Sequence, residues 1–333
     1  MNFYKKFLLL FFVSISFMGI IELLIGAIYI ESKLDQVKNI TKEDKVLLWK
    51  NKSQYQTLFF DKKVSLDKTG ARKHKSNRNG SLILTLGASP SFGWGVSDQQ
   101  TYSALIDQKN QDYYVINHAK IGYSSHQGKL LLKDLLRTHK PKYVIIPFVI
   151  NDIDKFRFYY NNGIPDHKVI TNHPYIIKLR NFLKDLKTYK ALSSFIQNFV
   201  NNLDPQKIQT SSPKINTRVS LPQYIENLKE MISLTIQNKA KPILLKMPVY
   251  FPPQLAIEKN QKSWIEFLNQ EALRYNQALE KIAKENNILF IDVKKKFETE
   301  TDFLFISKND TIHPNVHGHK IISEMIIKVL NEN

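Results

Sequence analysis

From Ser81 onward the chain alternates between short unbroken apolar runs and longer stretches in which apolar residues recur every three or four positions. The unbroken runs are Leu82–Leu86, Tyr113–Asn117, Tyr143–Ile150, Pro242–Met247 and Ile288–Val293. Most are rich in Val, Ile and Leu without polar alternation, which predicts strands covered on both faces. The helical period falls at Thr101–Asp107, Gln127–Thr138, Gln223–Gln237, Trp264–Glu285 and Val316–Leu330. Strand and helix in alternation imply a parallel sheet with right-handed crossovers. The predicted fold class is therefore α/β, a three-layer α/β/α sandwich around five parallel strands.

One excursion, from about Asp154 to Leu221, breaks this rhythm. It holds a helix-like segment near Ile176–Asn202, a polar stretch from Asp204 to Thr217, and the aromatic set Phe156, Phe158, Tyr159 and Tyr160, which suits core packing as well as a substrate wall. An insertion of that length between core elements predicts a lid or a substrate-shaping element. Residues 31–80 are polar, with short apolar pieces at Val46–Trp49 and Tyr55–Phe60, and read as a stalk followed by irregular β structure on the edge of the main domain, 81–333.

The amino terminus has a different pattern. Lys5 and Lys6 precede Phe7–Ile30, an apolar stretch interrupted by Glu22 and a few Ser and Gly. Its length suits one membrane-spanning helix. Glu22 would cost roughly 2.5–3.5 kcal/mol at the bilayer centre, but it lies toward the outer half, and Leu, Ile and Phe at about −0.3 to −0.6 kcal/mol each can offset it. The small-residue site Gly26-Ala27 follows Ile25 and makes a poor cleavage signal. The expectation is an uncleaved anchor over residues 1–30, its lysine-bearing end in the cytoplasm and the body outside.

Composition narrows the possibilities. At 333 residues with 43% hydrophobic content the chain can bury a sizeable core. It has no cysteine, so disulfides, thiolate metal sites and a cysteine nucleophile are excluded. The net charge of +18 invites a nucleic-acid reading. Yet the lysines are spread along the chain, and the densest stretch, Lys68–Arg78, has no interleaved aromatic residues for base stacking. No nucleic-acid partner is expected.

Four stretches place reactive groups where strand ends should converge. Leu82–Leu86 ends in Gly87-Ala-Ser-Pro-Ser-Phe-Gly-Trp-Gly-Val96, a glycine-flanked turn displaying Ser89. Asn117–Ser125 contains Gly122, whose backbone N–H has no side chain to obstruct it, and Val149-Ile-Asn-Asp152 places Asn151 at the same edge. Asp310-Thr-Ile-His313, read as one turn, precedes the final helix, and its carboxylate can orient the imidazole. Serine needs an adjacent base, which His313 can be. A developing oxyanion needs donors, which the N–H groups of Ser89 and Gly122 and the Asn151 amide can supply.

On these residues the chain resembles the SGNH hydrolases, also called the GDSL esterase/lipase family, from about Gly70 to Leu330. The resemblance implies a flavodoxin-like SGNH fold, Ser89 as nucleophile, Asp310 and His313 as its acid–base partners, and Ser89, Gly122 and Asn151 as the oxyanion hole. Lys68-Thr-Gly-Ala-Arg72 is similar to the lead-in of membrane-anchored bacterial members, implying a single-pass protein of the bacterial inner membrane with its catalytic domain periplasmic or extracellular. There are two departures: Ala88 stands where the family has Asp, and Val149 where a glycine is frequent.

The resulting expectation is a serine esterase acting through an acyl-enzyme on O-acyl esters of cell-envelope glycans or on small acyl esters. Two alternatives share the residues: acyl transfer to a sugar hydroxyl, and a non-catalytic envelope scaffold in which Ala88 marks a lost activity. No cofactor is expected, since Gly93 and Gly95 form no dinucleotide fingerprint. No metal is expected either: His313, His317 and His319 lack an acidic ligand motif, and His317 and His319 read as capping or surface groups. Trp94 either lines the pocket or plugs the turn.

Overall fold

The computed structural model describes residues 3–29, 33–76, 80–154, 166–169, 173–203, 217–252 and 262–333. The chain divides into two compact units, Met1–Lys45 with Asn172–Ile215 and Val46–Thr171 with Asn216–Asn333.

The larger unit includes a hairpin, β1 (Gln56–Phe59) paired antiparallel with β2 (Lys62–Ser65). The sheet is built from β3 (Ser81–Thr85), β4 (Tyr113–Asn117), β5 (Tyr143–Ile146), β6 (Lys241–Lys246) and β7 (Leu289–Asp292), in the order β4-β3-β5-β6-β7 and parallel throughout. Its main helices are α1 (Tyr102–Lys109), α2 (Ser125–Leu135), α3 (Leu221–Gln237), α4 (Lys262–Glu285) and α5 (Val316–Asn331).

The period-two alternation of side chains sorts these helices into layers. Leu82 and Leu84 of β3, Val144 and Ile146 of β5 and Leu244 of β6 pack in one cluster with α2, α3 and α4. Their neighbours Ile83, Tyr143, Ile145, Ile243 and Leu245 pack in a second cluster with α1 and α5. The three-layer sandwich expected from the sequence is the observed fold. Helix starts follow from caps: Thr101 accepts from the Ala104 N–H, Ser124 and Gln127 form a capping box, and Asn315 accepts from the Gly318 N–H.

The run Tyr143–Ile150 is not one strand. β5 stops at Ile146, because Pro147 has no N–H for a ladder. Phe148, Val149 and Ile150 remain buried, but the chain has turned toward the one-turn helix Ile150–Ile153. From β3 the chain builds β4 on one side and β5 on the other, so the loop after β3 sits at the topological switch point where α/β sheets bind ligands.

In the smaller unit, helix Phe3–Ile28 is long and apolar enough to cross a membrane, and none of its residues is buried. The helical signal at Ile176–Asn202 resolves into two helices, Pro174–Leu183 and Lys187–Leu203. They break where Lys184 turns inward to donate to the Thr41 carbonyl at 2.7 Å. Glu22 is not an isolated charge: its carboxylate accepts the N–H groups of Lys187 (2.5 Å) and Thr188 (3.0 Å) and the Thr188 hydroxyl. It thus fills the open N-terminal end of helix Lys187–Leu203. Phe156, Phe158, Tyr159, Tyr160 and all of the Asp204–Thr217 stretch except Thr217 lie outside the described residues.

Candidate active site

β3 delivers the chain to a turn that only glycine can make. Gly87 has φ of +118°, and a Cβ there would sit 2.7 Å from both Pro147 and the Ser91 hydroxyl. The chain then enters the one-turn helix Ser89–Phe92, capped by Gly93 at φ +90°. Ser89 opens that helix, so its N–H has no intrahelical acceptor.

The Ser89 hydroxyl lies 2.8 Å from His313 Nε2, and His313 Nδ1 lies 2.7 Å and 2.9 Å from the two Asp310 oxygens. With Nδ1–H donated to the carboxylate, Nε2 is the acceptor for the serine O–H. Burial pushes the Asp310 carboxyl up, but hydrogen bonds from the His313 ring and from the His313 and Ile312 N–H groups outweigh it and hold the group below the usual carboxylate range. Asp310–Pro314 is a strand paired with Phe305–Ser307 rather than the turn expected from the sequence; its register is irregular there, and the Asp310–His313 bond forms within it.

Trp94 stacks flat on His313, with ring centroids 4.9 Å apart at 18°. Phe59 and Phe60, at the tip of the β1–β2 hairpin, each pack on Trp94 with centroids at 4.9 Å. The imidazole is therefore fixed at its edge by Asp310 and on its face by Trp94. These two phenylalanines carry no signal in the local sequence.

The oxyanion candidates come from the loops after β4 and β5. Gly122, at φ +82°, is the third residue of a turn closed by Tyr123 N–H to Lys120 carbonyl at 3.2 Å, and the Lys120 N–H ties this loop to the Gly87 carbonyl at 3.0 Å. Asn151 donates one amide N–H to the Tyr123 carbonyl at 3.0 Å and keeps a second. The N–H groups of Ser89 and Gly122 have no acceptor among the described residues.

Two buried arginines brace these loops. Arg72 donates to Asp98 (2.7 Å) and to the carbonyls of Phe92 (2.9 Å), Gly93 (3.2 Å), Val96 (2.8 Å) and Lys63 (3.2 Å), so it holds the turn after Ser89 at several points. Arg218 donates at 2.7 Å to each of Asp166, the Gly122 carbonyl and Gln127. Ala88, which stands where the resembled family has Asp, is buried in the apolar cluster, and the turn after Ser89 is held by Arg72. His319 is not a surface group: it is fully buried, and its Nδ1 accepts the Tyr102 N–H at 3.2 Å. His317 is half-exposed beside Asp302.

Next to Asn151, Asp152 is fully buried. Its Oδ1 accepts the Ser125 N–H (2.8 Å) and hydroxyl (2.5 Å), while its Oδ2 has no hydrogen-bond partner among the described residues. Burial pushes this carboxyl up to about 7 against the opposing pull of the Ser125 bonds. A group raised in the fold binds its proton more tightly there than in the unfolded chain, so its contribution to stability is complete below the unfolded value near 3.8 and is lost as pH rises through about 7. Asp152→Asn should remove that loss: thermal melts across pH 5 to 8 should show a flatter profile than the parent, and parallel profiles would refute the assignment.

The chain is 27% identical over 115 residues to the isoamyl acetate-hydrolyzing esterase of Saccharomyces cerevisiae, covering 34% of this chain and 48% of that one, so it spans about half the length of that curated relative. Among solved structures, a lipolytic G-D-S-L family protein of Veillonella parvula aligns with a TM-score of 0.46 at 13% identity, over 76% of this chain and 99% of that one. An acetylxylan esterase of Geobacillus stearothermophilus aligns with a TM-score of 0.44 at 16% identity, over 76% and 95%. The GDSL-like lipase/acylhydrolase family model matches residues 85–321, from the end of β3 into the last helix and across Ser89, Gly122, Asn151, Asp310 and His313, and the chain therefore belongs to that family of hydrolases.

Proposed function

We propose that the chain is a membrane-anchored serine esterase that works through an acyl-enzyme on Ser89. The observation that carries this reading is the continuous hydrogen-bonded line from Ser89 Oγ through the His313 ring to Asp310, at 2.8 Å and 2.7 Å. Ser89 Oγ attacks the ester carbonyl carbon while His313 Nε2 takes its proton, with Asp310 stabilising the imidazolium. The carbonyl oxygen, now an oxyanion, accepts from the N–H groups of Ser89 and Gly122 and from Asn151 Nδ2. When the intermediate collapses, His313 returns the proton to the departing alkoxide, leaving the acyl group on Ser89. Water, deprotonated by the same Nε2, attacks the acyl carbon; the acid leaves and Ser89 recovers its proton.

The proposed substrates are O-acyl esters of cell-envelope glycans or small acyl esters. Helix Phe3–Ile28, with Lys5 and Lys6 at its start, is proposed to anchor the chain in the bacterial inner membrane with the sheet-bearing unit outside the cytoplasm. The complete Ser–His–Asp line favours catalysis over a scaffold role despite Ala88.

A serine-directed p-nitrophenyl phosphonate tests the acyl-enzyme step. Full-length protein in detergent should release one equivalent of p-nitrophenol and carry the phosphonyl group on the peptide containing Ser89, whereas Ser89→Ala should do neither. A label on another residue, or none on the parent, would refute the proposal.

A further inference from the structure

Helices Pro174–Leu183 and Lys187–Leu203 carry large apolar residues on exposed faces. Each residue turns a helix by about 100°. On the first helix Tyr175, Ile176, Leu179 and Phe182 share one face and are 75%, 49%, 57% and 66% exposed. Ile177 and Lys184, on the opposite side, are buried. On the second, Tyr189, Leu192, Phe195 and Ile196 are 37%, 58%, 68% and 51% exposed, while Lys190, across the helix, is buried and reaches Asn39 at 2.6 Å. A helix covering a core does the reverse. Each of the two consecutive helices thus exposes four large apolar side chains on one face, which water does not favour, and exposed apolar faces of this kind mark interaction sites.

The same unit contains the helix that identifies what covers it. Helix Lys187–Leu203 packs on helix Phe3–Ile28, and its first turn is held by Glu22. If Lys6 sits at one edge of the hydrocarbon core, Glu22 lies 16 residues further, about 24 Å across a core of about 30 Å. The start of helix Lys187–Leu203 is thereby fixed roughly 6 Å inside the far edge, a depth that matches the roughly 5–10 Å at which interfacial amphipathic helices bury their apolar faces.

We propose that these two helices lie in the headgroup–acyl boundary of the bilayer, with the eight apolar side chains inserted into lipid, as a second membrane attachment beside the spanning helix. This inference rests on the reading of Phe3–Ile28 as a membrane span. The lysines alongside follow the same logic: Lys178 is exposed next to the apolar face, where its stem can run along lipid while its ammonium reaches the headgroups.

Because the chain has no cysteine, single-cysteine labelling needs no prior background removal. Full-length Phe182→Cys and Phe195→Cys proteins, carrying an NBD fluorophore, would be reconstituted in vesicles of phosphatidylethanolamine and phosphatidylglycerol containing nitroxide lipids. Leu10→Cys reports on the spanning helix and Lys281→Cys, on exposed α4 surface, is the aqueous reference. Labels at 182 and 195 should lose about half their emission to a nitroxide near the headgroup and less to one near the chain end, the pattern of a helix lying at the boundary. Quenching at those sites no greater than at Lys281, with Leu10 still quenched, would overturn the inference and leave the span standing. Blue-shifted emission without nitroxide quenching would also overturn it, and would assign the face to a protein partner or a second copy. Loss of quenching at Leu10 as well would overturn both readings together.

Discussion

His313→Ala should lower the rate of ester cleavage by about 10⁴–10⁶-fold, with the folded structure retained. In the proposed mechanism the imidazole is both the acceptor of the Ser89 proton and the donor that frees the alcohol, so its removal stops acylation and deacylation alike. Members of a triad act as one device, and their removal is grossly non-additive. The double variant Ser89→Ala/His313→Ala should accordingly be no slower than either single variant. Turnover of p-nitrophenyl acetate by the full chain in detergent, beside circular dichroism to verify folding, measures both statements. Activity within tenfold of the parent in His313→Ala would mean that another base serves Ser89. A double variant slower than the singles by the product of their losses would mean that the two residues act separately.

The second large effect is on stability. Arg72→Met should cost about 3–5 kcal/mol, because it leaves the Asp98 carboxylate without its buried cation. It also strips donors from the carbonyls of Phe92, Gly93, Val96 and Lys63. A loss of that size corresponds to a fall of roughly ten degrees in melting temperature for a domain of this size. Arg72→Lys should recover only part of it, since an ammonium restores the charge but not the planar fork that reaches several carbonyls. Arg72→Met/Asp98→Asn should be more stable than Arg72→Met alone, as the stranded charge is then gone. Equal melting temperatures for Arg72→Met and the parent would show that the turn after Ser89 is held by its own glycines.

The contrast between the two predictions shows which parts of the molecule the sequence discloses. The five strands and their helices were legible because burial on both faces of a sheet, or on one face of a helix, writes a period into the chain. Ser89, Gly122 and Asn151 could be proposed from the sequence because each follows an apolar run that reads as a strand, and Asp310 and His313 because they form a short signature before the final helix. Arg72 and Arg218 were not. Their partners Asp98 and Asp166 lie 26 and 52 residues away, and a lone arginine in a lysine-rich chain looks like solvated surface until the fold closes over it. Phe59 and Phe60 were hidden for the same reason, their target Trp94 being on another element. His319 misled because a histidine beside His317 at the start of a helix looks like a solvated group, yet the helix turns that position onto Tyr102. The overrun of the third strand has a simpler cause: Phe148–Ile150 are as buried as strand residues but are no longer in the ladder.

The bond between Glu22 and Thr188 joins residues 166 positions apart. At about 5–20 residues per second, synthesis of the intervening chain takes on the order of ten seconds. Throughout that interval the first helix has been made but its partner has not, and three strands of the sheet emerge in between. The smaller unit is thus assembled from the first segment made and a much later one. Its completion waits on translation of the middle of the chain, so the larger unit has begun to form before the smaller can close.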